Sequence, residues 1–104
     1  HNSHPMASLL TESVYELLGT FVFFLAIFVT GKNYIIALAL FLAIVIFGAY
    51  SGHFNLTVSI LKLADGAISV QQFAGYMVGQ LLGGGMALMV SKAMAGAAAA
   101  TVAL

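Results

Sequence analysis

Cysteine, tryptophan and arginine are all absent from this chain of 104 residues, and three lysines, Glu12, Glu16 and Asp65 are its only charged side chains apart from histidine. Without cysteine there is no disulfide framework and no thiolate metal site. A net charge of zero leaves no basic face for nucleic acid. Charged residues make up 6% of the sequence, against roughly 25% in soluble domains, which is too little polar surface for a water-soluble fold. What is present is apolar: 62% of the residues are hydrophobic and the mean hydropathy is +1.11. The composition predicts an all-α, multi-pass integral membrane protein whose partner is the lipid bilayer. The length allows one domain, 6–104, with His1 to Pro5 read as a tag or cloning scar.

A bilayer core is crossed by roughly 20 mostly apolar residues. The hydropathy pattern predicts transmembrane helices over about 9–30, 34–50 and 68–102, the first closed by Gly31-Lys32-Asn33. The first has neither the basic n-region nor the small-residue cleavage site of a signal peptide. From Asn33 to Leu61 there is no Asp, Glu, Lys or Arg, yet the stretch is too long for one simple span. Its polar interruption, Ser51-Gly52-His53-Phe54, continues a helix poorly, whereas Asn55 is a favoured N-cap for a short helix over 55–63. Such a helix is about 14 Å long, half of the hydrocarbon thickness. Non-helical backbone at membrane depth is tolerated only when buried in protein or lining a water-filled cavity. The segment is therefore expected to be a re-entrant half-helix; the competing reading, an extramembrane loop with a surface helix, fits the apolar run after Asn55 less well.

Ser51-Gly52-His53-Phe54-Asn55-Leu56-Thr57-Val58 resembles the first signature loop of the aquaporin and glycerol-facilitator (major intrinsic protein) family, usually Ser-Gly-X-His-X-Asn-Pro-Ala-Val. Tyr15 to Leu25, with Glu16, resembles that family's first helix, and Ile68 to Gly84, with Gln80, its third. The departures are definite. Asn-Pro-Ala is replaced by Asn55-Leu56-Thr57, one loop residue is missing, and there is one repeat where the family has two inverted ones. The resemblance implies half of an aquaporin-like fold, completed by an inverted homodimer and assembled further as a tetramer of such dimers, passing water or small neutral solutes such as glycerol. Lys62 on one side against Lys32 and Lys92 on the other gives a weak orientation bias, which permits both insertions. No cofactor is implied.

The site residues follow from the resemblance and from their chemistry. Asn55 would cap the half-helix and present its carboxamide, beside the helix N-terminal dipole, to a passing oxygen. Gly52, His53 and Phe54 would lend backbone carbonyls, with Leu56, Thr57 and Val58 following in the pathway and Ile36 at its mouth. Val58 and Ile36 would make that mouth more apolar than usual. Glu16 and Gln80 would support the loop. Gly75, Gly79 and Gly83, at i, i+4 and i+8, form a close-packing ridge. His53 has no second ligand at metal spacing, and no nucleophile–base constellation suggests an enzyme. Two other functions compete: a proton-coupled small multidrug-type transporter of dual topology using Glu16, and a holin-like small pore-former.

Overall fold

The computed structural model describes residues 6–49 and 51–103, so the stretch 1–5, read above as a tag, lies outside the described residues. Among those described are four helices and no strand: α1 (Met6–Thr30), α2 (Asn33–Phe47), α3 (Leu56–Ala64) and α4 (Val70–Ala103). Two of them, over Ser8–Thr30 and Val70–Ala103, are long and apolar enough to cross a membrane, while Asn33–Phe47 is a shorter apolar helix. The helix expected over 34–50 ends early because the chain turns at Gly48, whose N–H caps the Ile44 carbonyl at 2.8 Å.

The helix ends follow local chemistry. Gly31, at φ +60°, closes α1 and lets α2 fold straight back along it. Asn55 caps α3, its Oδ1 accepting the Thr57 N–H at 2.8 Å. Ser69 and Gln72 form a reciprocal capping box at the start of α4: the Ser69 N–H donates to Gln72 Oε1 at 2.9 Å and the Gln72 N–H to Ser69 Oγ at 3.1 Å.

α1 is central. It packs most extensively on α4 and less so on α2; α3 lies against α4, and α2 and α3 do not pack on each other. α1 and α4 run parallel, because Glu12 meets Gln72 and Tyr76, Glu16 meets Gln80, and Leu17 meets Gly79 and Gly83. The ridge of Gly75, Gly79 and Gly83 is what brings the two helices together. A methyl at Gly79 would lie 2.5 Å from the Ser13 carbonyl oxygen, and one at Gly83 would strike the Leu17 carbonyl. Helix backbones approach this closely only where the side chain is a hydrogen.

Burial centres on that seam and on what packs against it, including Ala43 of α2 and Ser59 of α3. The largest fully buried side chains are Phe54, Glu16, Thr20 and Ser59, three of them polar. The outside is apolar instead, with Leu10, Phe41, Ile46, Leu81 and Met89 all exposed. This inverts the ordinary soluble pattern, and of the buried polar groups Glu16 and Ser59 are joined through Gln80 Nε2.

Candidate functional site

The segment between α2 and α3 is gathered around one carboxylate. Glu16, fully buried, accepts the backbone N–H groups of Gly52 at 3.1 Å and His53 at 3.2 Å on Oε2. On Oε1 it accepts the Phe54 N–H and the Gln80 Nε2 at 2.9 Å. Three successive backbone N–H groups converging on one anion-type acceptor form a nest. The convergence needs unusual backbone: Gly52 sits at φ +131° and Phe54 at φ +52°. The second is an outlier region for a bulky residue, costing about 1–3 kcal/mol, offset by the hydrogen bond of its own N–H and by complete burial of its ring. That ring lies against Gly19, where any Cβ would collide with it.

A second polar layer sits beside the first. Gln80 Nε2 also donates to Ser59 Oγ at 2.8 Å, and His53 Nδ1 lies 2.9 Å from the same hydroxyl. The His53 ring packs edge-on to Tyr76, 4.8 Å between centroids. Tyr76 in turn donates to Glu12 Oε1 at 2.5 Å, which also accepts Gln72 Nε2 at 3.0 Å. Every member of this network orients the next, and the loop 51–54 is held in one conformation at the level of Glu16. Among the described residues no cluster of three or more His, Asp or Glu could hold a metal ion.

Asn55 emerges from this support exposed, with Leu56, Thr57 and Val58 exposed after it. Asn55 and Leu56 border a cleft of about 390 Å³ between α1 and α4, with Thr20, Phe24, Gln80 and Gly84 on its walls. Thr20 stands fourteen residues along α1 and ten from its end, so the start of α3 lies near the middle of that helix. Val58 borders a different groove, with Leu61, Lys62 and Asp65. Ile36, in the first turn of α2, is half-buried, and since α2 does not touch α3 it is not brought to Val58 within one chain.

The structure thus gathers Glu16, Gln80, Gly52, His53 and Phe54 into one cluster that carries Asn55, and leaves Ile36 apart. Sequence reasoning passed over Glu12, Thr20, Ser59, Gln72 and Tyr76. For all but Ser59 the signal was present: Glu12, Glu16 and Thr20 recur every fourth residue on α1, and Gln72, Tyr76 and Gln80 do so on α4. Two polar stripes of matched period on apolar helices are expected to face one another. No protein family matches the chain, and neither a curated protein nor a solved structure matches it.

Proposed function

We propose that this chain is an aquaporin-like half-channel of the membrane, in which α1, α2 and α4 span and α3 is a re-entrant half-helix. Two copies inserted in opposite orientations bring their Asn55 ends together at the midplane and pass water or small neutral solutes such as glycerol. The observation that carries the reading is the Glu16 nest, which holds Gly52, His53 and Phe54 so that Asn55 opens α3 near mid-height of α1. From there α3 runs back toward the end where α1 starts and is followed at once by α4, parallel to α1. A chain that turns at mid-depth and returns to the side it came from is re-entrant, and the apolar exterior suits lipid on all other faces. Glu16 in this reading is a support residue, its oxygens occupied by four N–H donors, and is not a proton carrier.

The inverted copy supplies the second half-helix dipole, so that two N-terminal ends face each other and oppose cations and protons. The test is stopped-flow swelling and shrinkage of proteoliposomes. Water or glycerol permeability above that of empty vesicles, suppressed by Asn55→Asp, is the expected result. Robust ion currents, or permeability indifferent to Asn55→Asp, would sink the reading.

A further inference from the structure

Ser59 is the buried residue of α3, and among the described residues its hydroxyl is the only α3 side-chain group that hydrogen-bonds to another part of the chain. Its two polar neighbours are Gln80 Nε2 at 2.8 Å and His53 Nδ1 at 2.9 Å. The protons of this group follow from what surrounds it. Gln80 has to present its NH₂, because the same nitrogen stands 2.9 Å from the Glu16 carboxylate, which only accepts. Ser59 Oγ therefore accepts from Gln80. Ser13, Thr30, Ser91 and Thr101 each donate to a carbonyl three or four residues back in their own helix, the usual arrangement for a hydroxyl in an apolar helix. Ser59 makes no such bond, and the acceptor left for its proton is His53 Nδ1. Neutral His53 thus carries its own proton on Nε2.

We propose that His53 and Ser59 form a proton-sensitive latch on α3: the neutral ring holds the helix to α4 through the Ser59 hydroxyl, and protonation of the ring releases it. An imidazolium carries hydrogen on both nitrogens, so Nδ1 turns from acceptor to donor. Ser59 Oγ then faces two donors, and its own proton, on a side chain 0% exposed, has no acceptor left. The hydroxyl regains one where α3 lifts and water enters. No other side chain resists that movement by a polar bond, since Asn55 bonds within its own cap. The charges within electrostatic reach of the ring are Glu16 on α1 and Lys62 on α3. α4 brings Tyr76, edge-on to the ring and bonded to Glu12 of α1, and α2 carries no charged residue. Both Glu16 oxygens are taken by N–H donors, so the switch belongs to His53 and Ser59. Asn55 opens the helix that the latch holds. In the channel reading, on which this consequence rests, acid therefore lowers permeability.

The test is nuclear magnetic resonance on the full chain in lipid nanodiscs, ¹⁵N-labelled at histidine, with the His53 signals identified by their loss in His53→Gln. In the neutral ring Nδ1 is expected at a pyridine-type shift and Nε2 at a pyrrole-type one; the opposite assignment overturns the proposal. That measurement is made on the unaltered sequence and depends on no variant folding. Ser59→Ala removes the bond that favours the neutral ring and should raise the midpoint of His53 protonation by about one pH unit, tenfold in the equilibrium. An unmoved midpoint counts against the latch, since a packing role for Ser59 alone predicts it. A nitroxide on Leu61→Cys, an exposed position in a chain without cysteine, reads the helix itself. Its spectrum should sharpen as His53 protonates, stay sharp at every pH in Ser59→Ala, and show no step in His53→Gln. A spectrum unchanged across the His53 midpoint, or a step retained in His53→Gln, overturns the latch. Water permeability of proteoliposomes should fall with the same midpoint. Permeability absent at every pH overturns the channel reading and leaves the latch standing, because the nitroxide reports on α3 without permeation.

Discussion

Glu16 shows how much can depend on two oxygen atoms. Its carboxylate receives four N–H groups, two on each oxygen. Glutamine has nearly the same shape but only one oxygen. Whichever way the amide turns, its NH₂ faces donors: Gly52 and His53 on one side, Phe54 and Gln80 on the other. Glu16→Gln is therefore expected to lower stability by about 1–3 kcal/mol, the cost of buried donors left unmade, read as a fall in thermal unfolding temperature in detergent. Unchanged stability with lost transport would instead assign Glu16 to proton coupling. Phe54 adds the steric half of the same device. Gly19→Ala puts a methyl into the Phe54 ring, and because Phe54 is fully buried and held at φ +52° it cannot swing aside. The variant should keep its helices by circular dichroism while losing Asn55-dependent permeability.

Among the elements, the decisive pair is α1 with α4. In lipid, apolar burial supplies no force between helices, and association rests on close packing and internal hydrogen bonds. This pair has both, the glycine ridge on one side of the contact and the polar stripes beside it. Gly79→Val would push α4 off the Ser13 carbonyl and the Leu17 backbone, and overpacking of this kind costs typically about 1–3 kcal/mol. It should also release the Glu16–Gln80 bond, so loss of stability and loss of permeability are expected together, measured on one preparation. Sequence reasoning found the ridge and assigned it to close packing, because glycine at every fourth position has few other uses. It could not find the ridge's partner, since Gly79 and Gly83 meet chiefly the backbone of Ser13 and Leu17, which leaves no residue-type signal, and Gly75 meets the Ser13 side chain. Glu16, Gln80 and the loop were legible as a set through their resemblance to a known pattern. Ser59 was not, because a hydroxyl in an apolar helix ordinarily satisfies itself on its own carbonyls.

At the scale of the whole molecule, extents of 60 × 25 × 21 Å reflect one helix longer than the rest. α4, at about 51 Å, runs past the end of α1 and carries Lys92 to the side where Lys32 turns the chain, with Lys62 toward the opposite side. The lysines are thus divided two to one, a weak bias under the rule that sets orientation. A chain with no cysteine makes this simple to check. Lys32→Cys in cell-derived vesicles should react with a membrane-impermeant maleimide in about half of the molecules if both orientations are populated, and in nearly all or none if one orientation prevails. If the proposed inverted dimer forms, Leu56→Cys at the start of α3 gives a disulfide-linked dimer that Lys62→Cys, at the far end of the same helix, does not.

By itself the sequence determined that this chain is apolar along most of its length, that its helical run is interrupted by Ser51 to Phe54, and that Asn55 begins a helix too short to cross a bilayer. Those properties are local: they depend on the composition of a window, on the residue that caps a helix and on the polar break before it. Only the tertiary structure decided that Glu16 reaches across to three consecutive backbone N–H groups some 36 to 38 positions away, that the glycine ridge joins α4 to α1, and that Ile36 stays apart from Val58. It also left Thr20 Oγ1 and Gln80 Oε1 buried without partners. Such facts arise from the parallel register of two helices, and register is set by which surfaces interlock, a property of the pair that neither helix carries in its own residues.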